Sequence, residues 1–104
     1  MSRPIESTGE IEVVLYQPNV RGYSVGDRVQ LVFAPIGAIS PPYKLQVFSP
    51  SGASILETIL RDLPTGEAQS APAVEFLPFA AGAYRIEIKE TRGRASGKAK
   101  LTIG

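Results

Sequence analysis

Gly82-Ala83-Tyr84-Arg85-Ile86-Glu87-Ile88-Lys89 alternates apolar and charged side chains from Tyr84 onward. Tyr84, Ile86 and Ile88 fall on one face, and Arg85, Glu87 and Lys89 on the other. That period of two belongs to a half-buried β-strand and not to a helix. Downstream, the loop Thr91-Arg92-Gly93-Arg94-Ala95-Ser96-Gly97 leads to a second alternating run, Lys98 to Ile103. There Ala99, Leu101 and Ile103 face inward, and Lys98, Lys100 and Thr102 outward. Upstream, the same period recurs from Glu10 to Tyr16, Asp27 to Ala34, Tyr43 to Phe48 and Ala73 to Leu77. Their inward residues are Ile11, Val13, Leu15, Val29, Leu31, Phe33, Tyr43, Leu45, Val47, Val74 and Phe76. Turn formers separate the runs: Gln17-Pro18-Asn19-Val20-Arg21-Gly22, the stretch from Pro35 to Pro42, Ser49-Pro50-Ser51-Gly52 and Pro64-Thr65-Gly66.

The segment Ser54 to Leu63 reads two ways. Ser54 and Glu57 have the spacing of a helix capping box, and Ile55, Leu56, Ile59, Leu60 and Leu63 would form a helical stripe. As a strand, its alternation is spoiled by Glu57, which falls on the same face as Ile55. Its neighbours favour a short strand. Seven such runs separated by Pro and Gly turns predict a β-sandwich. Residues 10–104 are expected to form its single domain, with residues 1–9 a flexible polar tail.

The chain has 104 residues, 43% of them hydrophobic, which is one domain's worth with enough apolar surface for a core. It contains no Cys, His or Trp. A disulfide, a Cys or His metal ligand, a thiol nucleophile and an imidazole base are therefore excluded. Net charge is +1, so a globally basic nucleic-acid binder is not indicated. No apolar run approaches the roughly 18 residues that span a bilayer. The polar start lacks the apolar region of a signal peptide. It fits a cytoplasmic chain, or a module excised from an extracellular or cell-surface protein.

Tyr23-Ser24-Val25-Gly26-Asp27-Arg28-Val29-Gln30-Leu31, then Leu45-Gln46-Val47-Phe48-Ser49-Pro50-Ser51-Gly52, then Phe76-Leu77-Pro78 with Gly82-Ala83-Tyr84-Arg85-Ile86-Glu87-Ile88, form an ordered set. In order and spacing it resembles immunoglobulin-like and fibronectin-III-like modules, most closely the macroglobulin-type domains of surface proteins. The resemblance spans residues 23–104. It implies an all-β, seven-stranded antiparallel Greek-key β-sandwich, immunoglobulin-like and without a disulfide. Gly26 and Asp27 would turn the chain ahead of a strand, and Gly82 would make the tight corner before Tyr84. Tyr84 would bury its ring and bond backbone through its hydroxyl, as in a tyrosine corner. Leu31 and Ile86 would stand where antibody domains have paired cysteines. No thioester motif is present, so no trapping chemistry carries over, and likeness of fold warrants architecture only.

Carboxylates such as Glu10, Glu12 and Glu75 lie on alternating strands, where they read as a solvated face and not as a catalytic pair. Only Asp27 and Asp62 are Asp, and no D-x-D spacing suggests calcium. Gly93 to Ala99 fails the phosphate-loop pattern, with one residue too few between the glycines and Ala99 where Ser or Thr is needed. No cofactor is implied.

Charge is the sharper signal. Arg85, Lys89, Arg92, Arg94, Lys98 and Lys100 place six of the eleven basic residues near the C-terminus. With Glu87 and Glu90 that segment carries +4, and the remainder carries −3. One consequence would be a hairpin that meets a polysaccharide or polyanion. The other would be internal compensation, with Glu10 and Glu12 on a first strand beside Lys98 and Lys100. No aromatic residue follows Tyr84, so base stacking has no support. Phe79, in the most apolar loop, is a candidate contact for a neighbouring domain. Tyr16, Tyr23 and Tyr43 could line a carbohydrate surface, but they read better as the border of the core.

Together these point to a non-catalytic structural or interaction module: a spacer, assembly or adhesive domain whose partners are neighbouring domains or subunits. The alternative is a ligand-binding module for polysaccharide or polyanion through the basic hairpin. Neither membrane insertion nor sequence-specific nucleic-acid binding is expected.

Overall fold

A computed structural model describes residues 5–16, 21–67 and 70–104. Residues 17–20 of the first turn, and the first four residues of the expected tail, lie outside the described residues. Among the described residues, eight strands form two antiparallel sheets: β1 (Ile5–Gly9), β2 (Ile11–Leu15), β3 (Val29–Pro35), β4 (Tyr43–Phe48), β5 (Ser54–Leu60), β6 (Val74–Phe76), β7 (Gly82–Glu90) and β8 (Ser96–Ile103). One sheet runs β1-β8-β7-β4-β5 and the other β2-β3-β6. The inward residues of both merge into one core, where Leu31, Leu45, Ile86 and Leu101 are fully buried.

The eighth strand comes from the expected tail. Ile5–Gly9 pairs with β8 from Ile5↔Leu101 to Gly9↔Gly97. The chain then reverses and enters the other sheet as β2, where Ile11 pairs with Pro35 and Leu15 with Leu31. Main-chain bonds hold the reversal, from Glu10 N–H to Ser96 O (2.8 Å) and from Ile36 N–H to Glu10 O (2.7 Å). The Ser7 hydroxyl accepts the Val13 N–H at 2.8 Å and so covers part of the free edge of β2. An edge strand fixed by backbone pairing needs little apolar content. Ile5-Glu6-Ser7-Thr8-Gly9 has only one large apolar residue, and its alternation is correspondingly faint.

This crossover also corrects the expected charge pairing. Glu10 and Glu12 are not the cross-strand partners of Lys98 and Lys100, although Glu10 meets β8 at Ser96. The cross-strand partners of those lysines are Thr8 and Glu6 on β1, and Glu12 pairs with Ala34 in the opposite sheet.

Residues 54–60 are a strand, and a β-bulge resolves the conflict in their pattern. Val47 pairs with Leu56 and Phe48 with Ser54, so Ile55 is the extra residue. The bulge lets both Ile55 and Leu56 pack against the core while Glu57 still points outward.

The Glu10 carboxylate is held below its ordinary value by hydrogen bonds, first from its own backbone N–H and then from Ser96 N–H. A depressed carboxylate adds stability above its unfolded value and loses it as pH falls through the folded one. Wild-type protein should therefore lose stability more steeply below about pH 4.5 than Glu10→Gln. Urea midpoints measured from pH 6 to pH 3 check this, and parallel curves would refute it. Burial, and then the charges of Glu90 and Asp62, push the Tyr43 hydroxyl up. Among the described residues, no helix is long and apolar enough to cross a membrane.

Candidate functional site

Alternation on the five-stranded sheet sends one side-chain set into the core and the other to a flat outer face. Register then places the outer residues in rows. One row runs Ser96, Lys89, Lys44, Ile59 across β8, β7, β4 and β5. The next runs Thr8, Lys98, Glu87, Gln46, Glu57, and the third Glu6, Lys100, Arg85, Phe48, Ser54. Of the basic residues that the sequence singles out, Arg85, Lys89, Lys98 and Lys100 therefore share one plane. Arg92 and Arg94 sit beside it, on the exposed loop between β7 and β8. Lys44 joins the set from β4. Its outward orientation was readable, but its place beside Lys89 depends on sheet order, which local sequence does not carry.

Two cross-strand pairs on this face bring like charges directly opposite: Lys44↔Lys89 and Arg85↔Lys100. Like charges so placed destabilise a sheet by a few tenths of a kcal/mol, roughly the inverse of an opposite-charge pair. The neighbouring carboxylates relieve only part of this. Arg85 Nε contacts Glu87 Oε2 at 2.6 Å, and its guanidinium carbon sits 4.3 Å from the centre of the Phe48 ring. Lys44 Nζ contacts Glu57 Oε1 at 3.1 Å. Among the described residues, Lys89, Lys98 and Lys100 have no carboxylate in ion-pair range. Lys44, Lys89 and Lys98 surround a groove of about 200 Å³ that also presents Gln46, Ser96 and Glu87.

The loop bearing Arg92 and Arg94 is anchored from two sides by Glu90. One carboxylate oxygen accepts Ala95 N–H at 2.9 Å, and the other accepts Ser40 N–H at 2.7 Å from the β3–β4 loop. Thr91 donates both its N–H (3.1 Å) and its hydroxyl (3.2 Å) to Pro42 O. Gly93 leaves room for this anchor, because a Cβ there would lie 2.7 Å from Glu90 Oε1. The two arginines thus project from a fixed base.

The remaining singled-out residues lie elsewhere. Gly26 has φ +91° and helps form a turn in which Asp27 Oδ2 accepts Ser24 N–H at 2.8 Å. Gly82 has φ +130°, and a Cβ there would meet the Pro50 ring at 2.9 Å. Leu31 and Ile86 are fully buried in opposite sheets. Tyr84 is fully buried, and its hydroxyl donates to Ala80 O at 2.8 Å and accepts Ala80 N–H at 3.1 Å. Phe79 is 63% exposed, edge-on to Tyr84. Tyr23 and Tyr43 are buried and only Tyr16 is exposed, so the three tyrosines form no common surface. Glu75 accepts from Gln30 Nε2 at 2.7 Å and lies 3.7 Å from Arg28 Nε, an outer-face arrangement on the smaller sheet. Among the described residues, no group of three or more His, Cys, Asp or Glu side chains comes together to hold a metal.

No family model matches this chain, and neither does any curated protein or solved structure.

Proposed function

We propose that this chain is a non-catalytic binding module that takes a linear polyanion, of the sulfated or phosphorylated polysaccharide class, across the outer face of its five-stranded sheet. The observation that carries this reading is the pair of like-charge neighbours, Lys44↔Lys89 and Arg85↔Lys100, on one flat face. Such an arrangement costs stability in the free protein. It becomes favourable when an anionic chain lies over it and releases counterions. Lys98 and the anchored Arg92 and Arg94 extend the same surface. Cations spread over three rows of the sheet, beyond the one groove at Lys44, Lys89 and Lys98, suit a repeating polymer better than a small ligand held in a single pocket.

A kinship with immunoglobulin-like, fibronectin-III-like or macroglobulin-type sandwiches belongs to the same proposal. It is supported by the bond between Tyr84 and Ala80, by Leu31 and Ile86 in facing sheets, and by the order β2-β3-β6 against β8-β7-β4-β5. An aligned relative inside such a module would test it.

The binding reading is tested on immobilised heparin. Wild-type protein should be retained at low salt and eluted by NaCl. Lys89→Ala/Lys98→Ala and Arg92→Ala/Arg94→Ala should each elute earlier. Each lost contact should flatten the slope of log affinity against log salt by about 0.7–0.9. Arg28→Ala, on the other sheet, should elute with wild type. Passage of the wild type through the column unretained, or unchanged elution of both double variants, would sink the reading.

A further inference from the structure

A sandwich exposes the outer strands of its sheets, and unpaired backbone there must be blunted or used. Three edges here are blunted. β6 has three residues and is followed by Leu77-Pro78. β2 is partly covered by β1 through the bond from Val13 N–H to Ser7. β1 ends at Gly9, where the chain reverses at φ +105°. β5 differs: its bulge lies at Ile55, near its start, and the stretch from Leu56 to Leu60 beyond it contains no bulge, no Pro and no Lys. Among the described residues, no backbone group beyond β4 hydrogen-bonds to it. Ile59 is 55% exposed on its outer side and lines a shallow hollow of about 320 Å³ with Pro41, Pro42 and Arg61.

We propose that β5 pairs with β5 of a second copy of this chain, antiparallel about a two-fold axis through Ile59. The chemistry of the edge selects this register. Antiparallel pairing about Ile59 sets Ile59 against Ile59 of the second copy, at the close Cβ separation of cross-strand neighbours. The same register sets Glu57 against the second copy's Arg61, and Arg61 against the second copy's Glu57. Two ion pairs therefore flank one apolar contact, and the two-fold makes the patch self-complementary. A two-residue shift that centres the axis on Glu57 would oppose two carboxylates instead.

The axis stands normal to the sheet, so the outer faces of both copies look the same way. Two five-stranded sheets become one, and two sets of Lys44, Lys89, Lys98 and Lys100 lie on one continuous surface. The pairing itself does not rest on the polyanion reading. If that reading holds as well, a long polyanion that bridges both faces gains avidity that a short one cannot.

Sedimentation equilibrium of the full chain without any polyanion tests the pairing and leaves the binding question separate. Wild-type mass should rise from the 11.1 kDa of one chain toward twice that between micromolar and millimolar concentration. Arg61→Glu alone and Glu57→Lys alone should each stay at chain mass, because each opposes like charges twice across the axis. An equimolar mixture of the two variants should form a one-to-one dimer, since both pairs are then complementary again. Far-ultraviolet spectra and unfolding midpoints identify any variant that fails to fold, and Ile59→Lys then serves as the monomeric control. A wild type that stays at chain mass overturns the proposal. So do single variants that dimerise like wild type, and so does a mixture that stays monomeric.

Discussion

Gly97→Ala is expected to cost about 3 kcal/mol or more of folding stability, from the addition of one methyl group to a chain of 104 residues. Gly97 occupies an inward position of β8, and a Cβ there would lie 1.9 Å from the carbonyl oxygen of Ile11. That oxygen belongs to the backbone of a fully buried residue at the start of β2, so no side-chain rotation relieves the overlap. The main chains must separate, and separation strains the bonds from Glu10 N–H to Ser96 O and from Ile36 N–H to Glu10 O. Of the inward residues of β8, Gly97, Ala99, Leu101 and Ile103, the two smallest lie at the end next to the crossover. With about 4–8 °C per kcal/mol for a domain of this size, the midpoint should fall by roughly 15 °C. Gly52→Ala is the informative control. Its φ is +92° but nothing lies within 4 Å of its Cβ position. It should therefore cost only the ~1–2 kcal/mol of a left-handed alanine. Chemical denaturation of both variants decides the matter. If Gly97→Ala lands no lower than Gly52→Ala, then β2 does not approach β8 as closely as described.

How much of this was legible in the sequence follows from where each residue gets its stability. β4, β7 and β8 announce themselves because one face is buried in apolar partners, and burial forces alternation. Ile86 and Ile88 lie beside Val47 and Leu45 on the inner face of one sheet, and with Tyr84 they share one core with Val13, Leu31 and Phe33 of the other. β1 has no such requirement: its backbone pairs with β8, and Ser7 contributes a hydrogen bond where an apolar residue would otherwise signal a strand. That is why eight strands appear among the described residues where seven were expected. The Ile55-Leu56 doublet looked helical because a bulge, which breaks period two by one residue, mimics the doublets of a helical stripe. At the site, outward orientation of Arg85, Lys89, Lys98 and Lys100 follows from alternation alone. The opposition of Lys44 to Lys89 does not, because it needs the order of strands. Nor does the anchoring of the arginine loop, since Glu90 reaches Ser40 across a separation of 50 residues.

Tyr84→Phe should remove about 2 kcal/mol while leaving the core filled. The ring of Tyr84 is fully buried, 5.8 Å from Phe76 and 6.4 Å from Phe79 between centroids, and Phe retains both contacts. What goes is one oxygen that donates to Ala80 O and accepts Ala80 N–H. Both backbone groups lose a partner in a half-buried setting, and a stranded buried donor or acceptor costs roughly 1–3 kcal/mol. The damage should be local as well as global. The Leu77–Ala81 connection is tied to the rest of the domain by this hydroxyl and by the bond from Gly26 N–H to Pro78 O (3.0 Å). Amide exchange at Ala80 should therefore quicken more than the global loss alone explains, whereas exchange at Ile88 should track global unfolding. Tyr84 lies near the start of β7 and Lys89 near its other end. Heparin elution of the folded variant should therefore match wild type, which separates a residue that holds the fold from those proposed to hold the ligand. A Tyr84→Phe protein as stable as wild type would mean that water replaces the hydroxyl at both Ala80 groups, and that the corner contributes shape without net stabilisation.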